Sequence, residues 1–165
     1  MTIKLKLSPA GIEQAKKELA EYKAELNRRL ELFVERLAER GLLVAQMKFY
    51  TAQYDGTNDV QVTVEQSGKK ARVVASGKSV LFIEFGAGVF YPEHPSGEFQ
   101  HGTYGKGKGQ NFWGWAYKGE QGARGQYLRD GVYRTKGNPP AMAMWSATEE
   151  IAAAVSDTWR EVMQS

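Results

Sequence analysis

Apolar residues recur at every third or fourth position through the first quarter of the chain, which predicts a long amphipathic helix. The residues that share this face are Ile12, Ala15, Leu19, Tyr22, Leu26, Leu30, Phe33 and Leu37. Ser8 and Pro9 suit the N-cap and first helical positions, because proline loses nothing where the backbone amide would be unpaired anyway. Residues 3–7 alternate apolar side chains with lysines, which predicts a short edge strand. Gly41 is expected to break or cap the helix.

Residues 42–53 have an ambiguous pattern, and residues 58–85 are predicted to form a sheet. Residues 42–53 do not alternate cleanly, so a second short helix is favoured and a strand is the alternative. Residues 60–65 alternate valines with polar side chains, as a half-buried strand does. Turn signals then lead into residues 71–76 and Val80–Phe85. We therefore predict a three-strand antiparallel meander within residues 58–85.

The C-terminal end is also predicted to be helical, over residues 141–163, after Pro139 and Pro140. Its expected apolar stripe consists of Met142, Trp145, Ile151, Val155, Trp159 and Val162. Two tryptophans on one stripe are more often core residues than a binding platform. The predicted fold class is α+β, a single domain over residues 1–165. The N-terminal strand and helices, residues 1–53, and the C-terminal helix would pack on a small antiparallel sheet.

Residues 86–140 are predicted to form a long insertion loop rich in glycine and aromatic residues. Loops of this length inside a compact domain are usually functional or disordered. Disordered segments are poor in aromatic residues, whereas this one contains Tyr91, Phe99, Tyr104, Phe112, Trp113, Trp115, Tyr117, Tyr127 and Tyr133. We therefore expect the insertion to pack on its own subunit or on a neighbour.

Charge is distributed unevenly along the chain. Residues 86–140 carry seven basic and four acidic residues, whereas residues 141–165 carry one basic and four acidic residues. Such complementary segments suit contacts between copies, and ordinary solubility is the alternative explanation. The chain contains no cysteine, which excludes disulfides and thiolate chemistry. The N-terminal residues lack the apolar core of a signal peptide, and no stretch approaches the roughly 20 apolar residues of a membrane span, so a cytoplasmic protein is expected.

Two clusters in the insertion have side chains that bind ligands in other proteins. His94, Glu98 and His101 have metal-ligand chemistry, but nearby proline and glycines disfavour the helix that would gather them on one face. Residues 102–109 resemble a phosphate-binding loop but lack its Gly-Lys-Ser/Thr ending, so no cofactor is expected. Lys106 and Lys108, with aromatic residues close by, could instead contact a nucleic-acid backbone and its bases.

Glu84 is the carboxylate with the most defined setting. A glutamate at a strand end could act as a general base, yet no second group is placed to work with it. Glu93 and Glu98 would form a glycosidase-like pair only if the loop folded back. We predict instead that Glu84 accepts hydrogen bonds from loop amides and, with Gly86 and Gly88, anchors the start of the insertion.

The order of several short motifs resembles the neck and tail-completion proteins of tailed bacteriophages, particularly prophage versions. The matching segments are Ala75–Gly88, with its Glu-Phe-Gly signature, Gly137–Met144, which leads into the terminal helix, and the shorter stretches Leu37–Gly41 and Tyr54–Val60. The resemblance implies a non-enzymatic virion protein, assembled in the bacterial cytoplasm as an oligomeric and most often hexameric ring at the head–tail junction. Its partners would be other copies of itself, the connector or head-closure ring, and the tail terminator or tail-tube proteins.

The resemblance also suggests which residues make contacts. Tyr104, Phe112, Trp113, Trp115 and Tyr117 are the predicted subunit or partner interface, because large aromatic residues are enriched at the centres of such contacts. The alternative is that these residues cover the parent sheet. Two other functions remain open: a nucleic-acid-binding module that uses the basic aromatic loop, and a cell-wall hydrolase that uses Glu84, Glu93 or Glu98.

Overall fold

The computed structural model describes residues 8–54, 56–87, 115–118 and 125–164. The helices are α1 (Pro9–Thr51), α2 (Val80–Phe85) and α3 (Ala143–Gln164). The strands are β1 (Gln61–Ser67), β2 (Lys70–Ser76), β3 (Trp115–Lys118), β4 (Gln126–Arg129) and β5 (Val132–Thr135). Two long helices and small antiparallel sheets confirm the predicted α+β class. The strand predicted for residues 3–7 lies outside the described residues.

Helix α1 is one continuous helix of 43 residues, which corresponds to a length of about 65 Å. It begins as predicted, because the Ser8 hydroxyl accepts a hydrogen bond from the Gly11 amide at 3.1 Å. The expected break at Gly41 is wrong, and residues 42–53 are mainly the last turns of this helix. A β-carbon at Gly41 would lie 2.5 Å from Cδ1 of Ile151 on α3. The glycine therefore serves close helix packing.

Helix α3 runs antiparallel to α1. The Arg29 guanidinium donates a hydrogen bond to the carbonyl oxygen of Met163 at 2.8 Å, near the C-terminal end of α3. One turn further along α1, Phe33 meets Trp159 edge to face, with ring centroids 5.4 Å apart. The Arg29 contact supplies a donor to the end of α3, where backbone carbonyls lack helical partners.

The side of α3 that packs in the core consists mainly of small residues, namely Ala143, Ala147, Ala154, Thr158 and Val162. The prediction that Trp145 and Trp159 are core residues is wrong, because they are 38% and 44% exposed. Because α1 and α3 approach closely at Gly41, only small side chains such as alanine fit between the two helices. The large side chains of α3 therefore lie on its flanks.

The predicted meander is a two-strand hairpin, β1–β2, and its expected third strand, Val80–Phe85, is the helix α2. Asp59 helps to fix the start of this helix. Its carboxylate accepts hydrogen bonds from the backbone amides of Lys78 at 2.8 Å and Ser79 at 3.0 Å, and also from the Ser79 hydroxyl. Mainly because of the Ser79 hydroxyl and then these amides, the pKa of Asp59 is lowered to about 2.

The description of residues 86–140 as a loop is also wrong in part, since β3, β4 and β5 form an antiparallel sheet in the order β3-β5-β4. The main core lies elsewhere, where α1, β1, α2 and α3 meet. Its members are Ala45, Phe49, Val62, Ile83, Ala143 and Ala147. Short α2 thus sits at the centre of the subunit and leads directly into the insertion.

Candidate functional site

The two motifs that flank the insertion in sequence are joined in space. The backbone amide of Ala141 donates to the carbonyl oxygen of Ile83 at 2.8 Å, and that of Met142 donates to the carbonyl oxygen of Glu84 at 3.2 Å. These carbonyls belong to the last turn of α2, where no helical amide remains to pair with them. The segment before α3 therefore completes the C-terminal end of α2 and closes the base of the insertion.

Asn138 strengthens this junction from a fully buried position, where it is 1% exposed. Its side-chain Nδ2 donates to the carbonyl oxygen of Phe82 at 3.0 Å. Its backbone carbonyl accepts from the amide of Ala87 at 2.9 Å. Buried amide side chains are nearly always hydrogen bonded. The bond to Phe82 therefore satisfies the Asn138 side chain and also fixes its position against the end of α2.

The Glu84 side chain links α2 to the start of α3. Its two carboxylate oxygens accept hydrogen bonds from the amides of Met144 at 2.9 Å and Trp145 at 3.0 Å. The residue before α3 is Met142, whose side chain is a poor hydrogen-bond acceptor. Glu84, which belongs to α2, therefore caps the N-terminus of α3 in place of an N-cap side chain. The prediction was that loop amides would donate to Glu84, whereas these two amides belong to α3. Both oxygens are committed to this cap, which disfavours Glu84 as a general base.

Gly86 follows α2 with a φ of +76°, in the left-handed region that favours glycine. A β-carbon there would lie 2.8 Å from the nitrogen of Pro140 and 2.9 Å from the carbonyl oxygen of Asn138. Glycine is therefore required both by backbone conformation and by the close approach of the returning segment. Gly88, the third predicted anchor residue, lies outside the described residues.

Three tyrosines form a row across the second sheet. Tyr117 on β3 and Tyr127 on β4 are both register partners of Tyr133 on the central strand β5. Tyr117 stacks on Tyr133 at 5.7 Å between ring centroids, and Tyr127 meets Tyr133 edge to face at 5.5 Å. Tyr127 is 58% exposed. We call Tyr117, Tyr127 and Tyr133 the tyrosine row.

The tyrosine row bears on the predicted interface. Of its members only Tyr117 was in that set, and Trp115 lies two residues before it on β3. Tyr104, Phe112 and Trp113 lie outside the described residues. Tyr127 and Tyr133 lie outside the predicted interface, because their alignment with Tyr117 depends on the strand register, which the sequence pattern does not give.

Basic residues occupy the other face of the same sheet. Lys118 and Arg129 are both register partners of Val132, the residue next to Tyr133 on β5, and Arg134 follows on its other side. Since neighbouring residues of a strand point to opposite faces, Lys118 and Arg134 lie opposite the tyrosine row. Alternation does not assign a face to Arg129, because the register shifts between Tyr127 and Arg129 on β4. The sheet therefore presents an aromatic face and a basic face.

The first turns of α1 extend beyond the rest of the described subunit. The end of α3 contacts α1 at Arg29, and the tip of the β1–β2 hairpin contacts it through Lys69 and Asn27. Residues 9–26 therefore project by about 27 Å. This projection exposes three large apolar side chains on one side of the helix, namely Ile12, Leu19 and Tyr22, which we call the projecting stripe.

The projecting stripe belongs to the apolar face that the sequence pattern predicts for the core. Its exposure has a simple cause: α1 is 43 residues long and α3 only 22, so α3 cannot cover the whole face. The predicted lengths of the two helices already imply this exposure. A comparison of the two lengths would have shown that part of the face must remain uncovered by α3.

A second apolar surface lies at the opposite end of α1. A groove of about 930 Å³ runs between the last turns of α1 and the start of β1. Leu43, Met47 and Tyr50 line its helical side and are 65%, 61% and 88% exposed. The Gln46 side chain donates to the carbonyl oxygen of Val62 at 3.3 Å and so ties β1 to the helix. We call this feature the α1–β1 groove. The sequence did not predict it, because the pattern of residues 42–53 is ambiguous between helix and strand.

The remaining candidate ligands and bases all belong to the insertion. His94, Glu98, His101 and Glu93 lie outside the described residues, as do Lys106 and Lys108. Within residues 8–54, 56–87, 115–118 and 125–164, no three acidic, histidine or cysteine side chains cluster as metal ligands would. The prominent features of the described parts are thus exposed apolar surfaces and a hydrogen-bonded junction.

No protein-family model, curated protein or solved structure matches the chain. Among the described residues, none of the helices combines the length and the apolar character that crossing a membrane requires.

Proposed function

We propose that this chain is a structural subunit of an oligomeric ring at the head–tail junction of a tailed bacteriophage. The projecting stripe carries the assembly part of the proposal, because it places three large apolar side chains on a helix that extends away from the subunit. The phage part rests on the resemblance of Ala75–Gly88 and Gly137–Met144 to neck and tail-completion proteins.

The energetic argument starts from the cost of leaving such side chains in water. Burying a large aliphatic or aromatic side chain contributes roughly 1.5–3 kcal/mol. Ile12, Leu19 and Tyr22 can each contribute part of this free energy to a contact, and they lie on a preformed helix. A preformed helix loses less conformational entropy on binding than a flexible segment does.

The junction at the base of the insertion supports the same function. Glu84, Gly86 and Asn138 hold the two ends of the insertion against α2 and α3, so residues between them leave and return at fixed points. The tyrosine row then lies on a small sheet within that insertion. An aromatic surface on a rigid base is suited to contact with a neighbouring subunit, or with a connector, tail-terminator or tail-tube protein.

The assembly part is tested by measuring the mass of the purified full chain across a range of concentrations by light scattering. We expect species that are multiples of the 18.4 kDa subunit, and rings in electron micrographs. Leu19→Glu should reduce the mass to that of the monomer, because it places a charge within the projecting stripe. Ala20→Glu is the matched control, since Ala20 is exposed beside the stripe but points away from it.

The phage part needs a separate test in a phage that carries this gene. Inactivating the gene should leave filled heads and tails that do not join, and a copy supplied in trans should restore virions. Normal virions after inactivation would overturn the assignment to the junction. A protein that stays monomeric at every concentration would overturn the assembly part.

Nucleic-acid binding is the second candidate, and the tyrosine row is the observation that favours it. Exposed aromatic rings can stack on the bases of single strands. However, Lys118 and Arg134 lie on the opposite face of the sheet, so one strand could not contact these two residues and the tyrosine row together. Titration with single-stranded DNA at low salt tests this candidate: binding that weakens with salt and with Tyr127→Ala would support it, and a flat titration would exclude it.

A further inference from the structure

We propose that the projecting stripe of one subunit pairs with the same stripe of a second copy, and that the two helices run parallel. The inference rests on the proposed assembly function and adds which surface each subunit meets and in which orientation.

The apolar positions of the projection are spaced as in a coiled coil. Ile12, Leu19 and Leu26 are seven residues apart, and Ala15 and Tyr22 follow the first two by three residues. This alternation of three and four is the heptad repeat, with Ile12 at an a position and Ala15 at a d position, and its apolar seam faces a partner helix. Two heptads are few for a free peptide, but this segment extends a helix that the subunit already holds.

The charged residues beside the seam select the orientation. Lys16 and Lys23 occupy the e positions, and Glu18 and Glu25 occupy the g positions. In a parallel pair a g residue faces the e residue of the next heptad on the partner, so Glu18 of each helix faces Lys23 of the other. In an antiparallel pair e faces e and g faces g, which places lysine against lysine and glutamate against glutamate.

Glu18 and Lys23 are both available for this contact. Within the described residues no carboxylate lies within 4 Å of the Lys23 ammonium group, whereas Lys16 pairs with Glu13 at 2.8 Å. In the same part of the chain, Glu18 accepts a hydrogen bond from the neutral side chain of Gln14 at 2.9 Å. A second copy in parallel orientation supplies each of the two charges with an opposite one.

The apolar surface continues from the projection onto α3. Phe33 takes the next a position after Leu26, and its ring meets that of the exposed Trp159. Val155, one turn before Trp159 on α3, is exposed as well. From Arg29 onward α3 lies against α1, so the two copies of α1 must diverge there and hold both copies of α3 between them, as in a four-helix bundle. Trp159 and Val155 are side chains of α3 that such a bundle covers.

The insertion cannot lie along the projecting stripe, because both of its ends are held at the junction. Residues 88–114 leave at Ala87, whose amide donates to the carbonyl oxygen of Asn138. They return at Trp115, the register partner of Thr135, which lies three residues before Asn138.

The length of this segment limits its reach. Fully extended, residues 88–114 span about 95 Å, so a loop held at both ends reaches no further than about 48 Å. The junction lies beside Ala45, which shares the main core with Ile83. Ile12 lies 33 positions from Ala45 along α1, or about 50 Å. The loop can therefore touch Tyr22 but cannot run along the stripe to Ile12.

Residues 1–7 are the other candidate within the same chain. They contain Lys4 and Lys6 but no acidic residue, so they match Glu18 and leave Lys23 without an opposite charge. A second copy matches both. A parallel contact also suits the proposed ring, because all subunits of a cyclic assembly point the same way along its axis.

The chain contains no cysteine, which permits a direct test of the orientation by disulfide trapping. Ile12→Cys and Tyr22→Cys chains are purified separately and oxidised at a concentration where the wild-type chain is oligomeric. Each should form a disulfide-linked dimer with its own kind, because equal positions meet across a parallel seam, and a mixture should give little of the mixed dimer. Lys17→Cys is the matched control and should give little dimer, since Lys17 is exposed on the side away from the seam.

Charge reversal tests the pairing of Glu18 with Lys23. Glu18→Lys and Lys23→Glu should each raise the concentration at which oligomers form by roughly tenfold, because two attractive contacts become repulsive. The double variant restores opposite charges and should return this concentration to near the wild-type value. Glu21→Lys, an exposed change of the same charge away from the seam, should leave it within about twofold.

The outcomes separate the inference from the proposed function. A mixed dimer of the Ile12→Cys and Tyr22→Cys chains would show antiparallel pairing and would overturn the inference. Oligomers that form without the self-linked dimers, or charge reversals that the double variant does not restore, would also overturn it and leave the assembly function standing. A chain that is monomeric throughout would overturn both.

Discussion

The Glu84 carboxylate on α2 accepts a hydrogen bond from the backbone amide of Met144 on α3, 60 positions later in the chain. A second bond, from the Trp145 amide, occupies the other carboxylate oxygen. The first turn of α3 is thereby capped by a residue that precedes the whole insertion. This relationship couples the folding of the C-terminal helix to the placement of α2.

Replacing Glu84 by glutamine tests this coupling. Glutamine keeps one acceptor oxygen but turns an amino group toward an amide, and it removes a negative charge from a helix N-terminus. Because Glu84 is only 4% exposed, we expect the free energy of unfolding to fall by about 2 kcal/mol in chemical denaturation. Glu149→Gln, an exposed change on α3, should leave it within about 0.5 kcal/mol. Equal effects of the two changes would contradict the capping role.

Replacing Gly86 by alanine should destabilise the junction more than an ordinary turn glycine would. With a φ of 76° and a ψ of 176°, Gly86 lies in a backbone region that is essentially restricted to glycine, and holding another residue there costs roughly 1–3 kcal/mol. The new β-carbon would also lie within 3 Å of the returning segment, so the total loss should reach about 3 kcal/mol. Gly68→Ala is the matched control, because its φ is +56° but no atom lies within 4 Å. Thermal unfolding of the two variants would show whether the extra loss occurs.

Replacing Thr158 by valine should stabilise the protein. Thr158 is fully buried on α3, and its hydroxyl has no hydrogen-bond partner within the described residues. An unsatisfied buried polar group costs about 1–3 kcal/mol, so a valine of similar shape should raise the free energy of unfolding by about 1 kcal/mol. Thr148→Val is the comparison, since the exposed Thr148 hydroxyl donates to the Met144 carbonyl oxygen. A loss of stability in Thr158→Val would show that the hydroxyl has a partner.

The lowered pKa of Asp59 leads us to expect that the free energy of unfolding decreases in acid. Its folded-state pKa is lowered from 3.8 to about 2, so the folded protein binds fewer protons than the unfolded chain between these values. The stabilisation is therefore present above about pH 4 and is lost as the pH falls toward 2. Asp59→Asn should be less stable at neutral pH and should lose less stability than the wild type over that interval. Denaturant unfolding at a series of pH values measures both effects.

Asp157→Asn serves as the control for the acid experiment, because Asp157 is an exposed carboxylate on α3. This variant should keep most of the wild-type dependence on pH between 4 and 2. The Glu25 carboxylate contributes in the same direction, since Arg28 and Arg29 lower its pKa to about 2. If Asp59→Asn retained the full wild-type slope, Asp59 would not be its source.

The periodicity of apolar residues determined the long helix, the C-terminal helix and the hairpin strands, and the capping preferences of Ser8 and Pro9 determined where the long helix begins. These features depend on local spacing, which sequence records directly. The same apolar run at Val80–Phe85 was compatible with strand or helix, and the tertiary structure decided for helix. The reason is that the Asp59 carboxylate accepts hydrogen bonds at the start of this helix, and residues 138–142 donate hydrogen bonds to carbonyl oxygens at its end. These partners come from other parts of the chain.

Gly41 shows the same limit, since whether a glycine ends a helix or lets another helix approach depends on Ile151, more than a hundred residues away. The role of Glu84 was foreseeable as anchoring, but its partners on α3 were not. The tyrosine row required a strand register, and the exposed surfaces of α1 required knowledge of where α3 ends. Sequence determined which residues are apolar and how they repeat; only the packing of α1, α2 and α3 decided which of them are buried and which remain exposed to meet another chain.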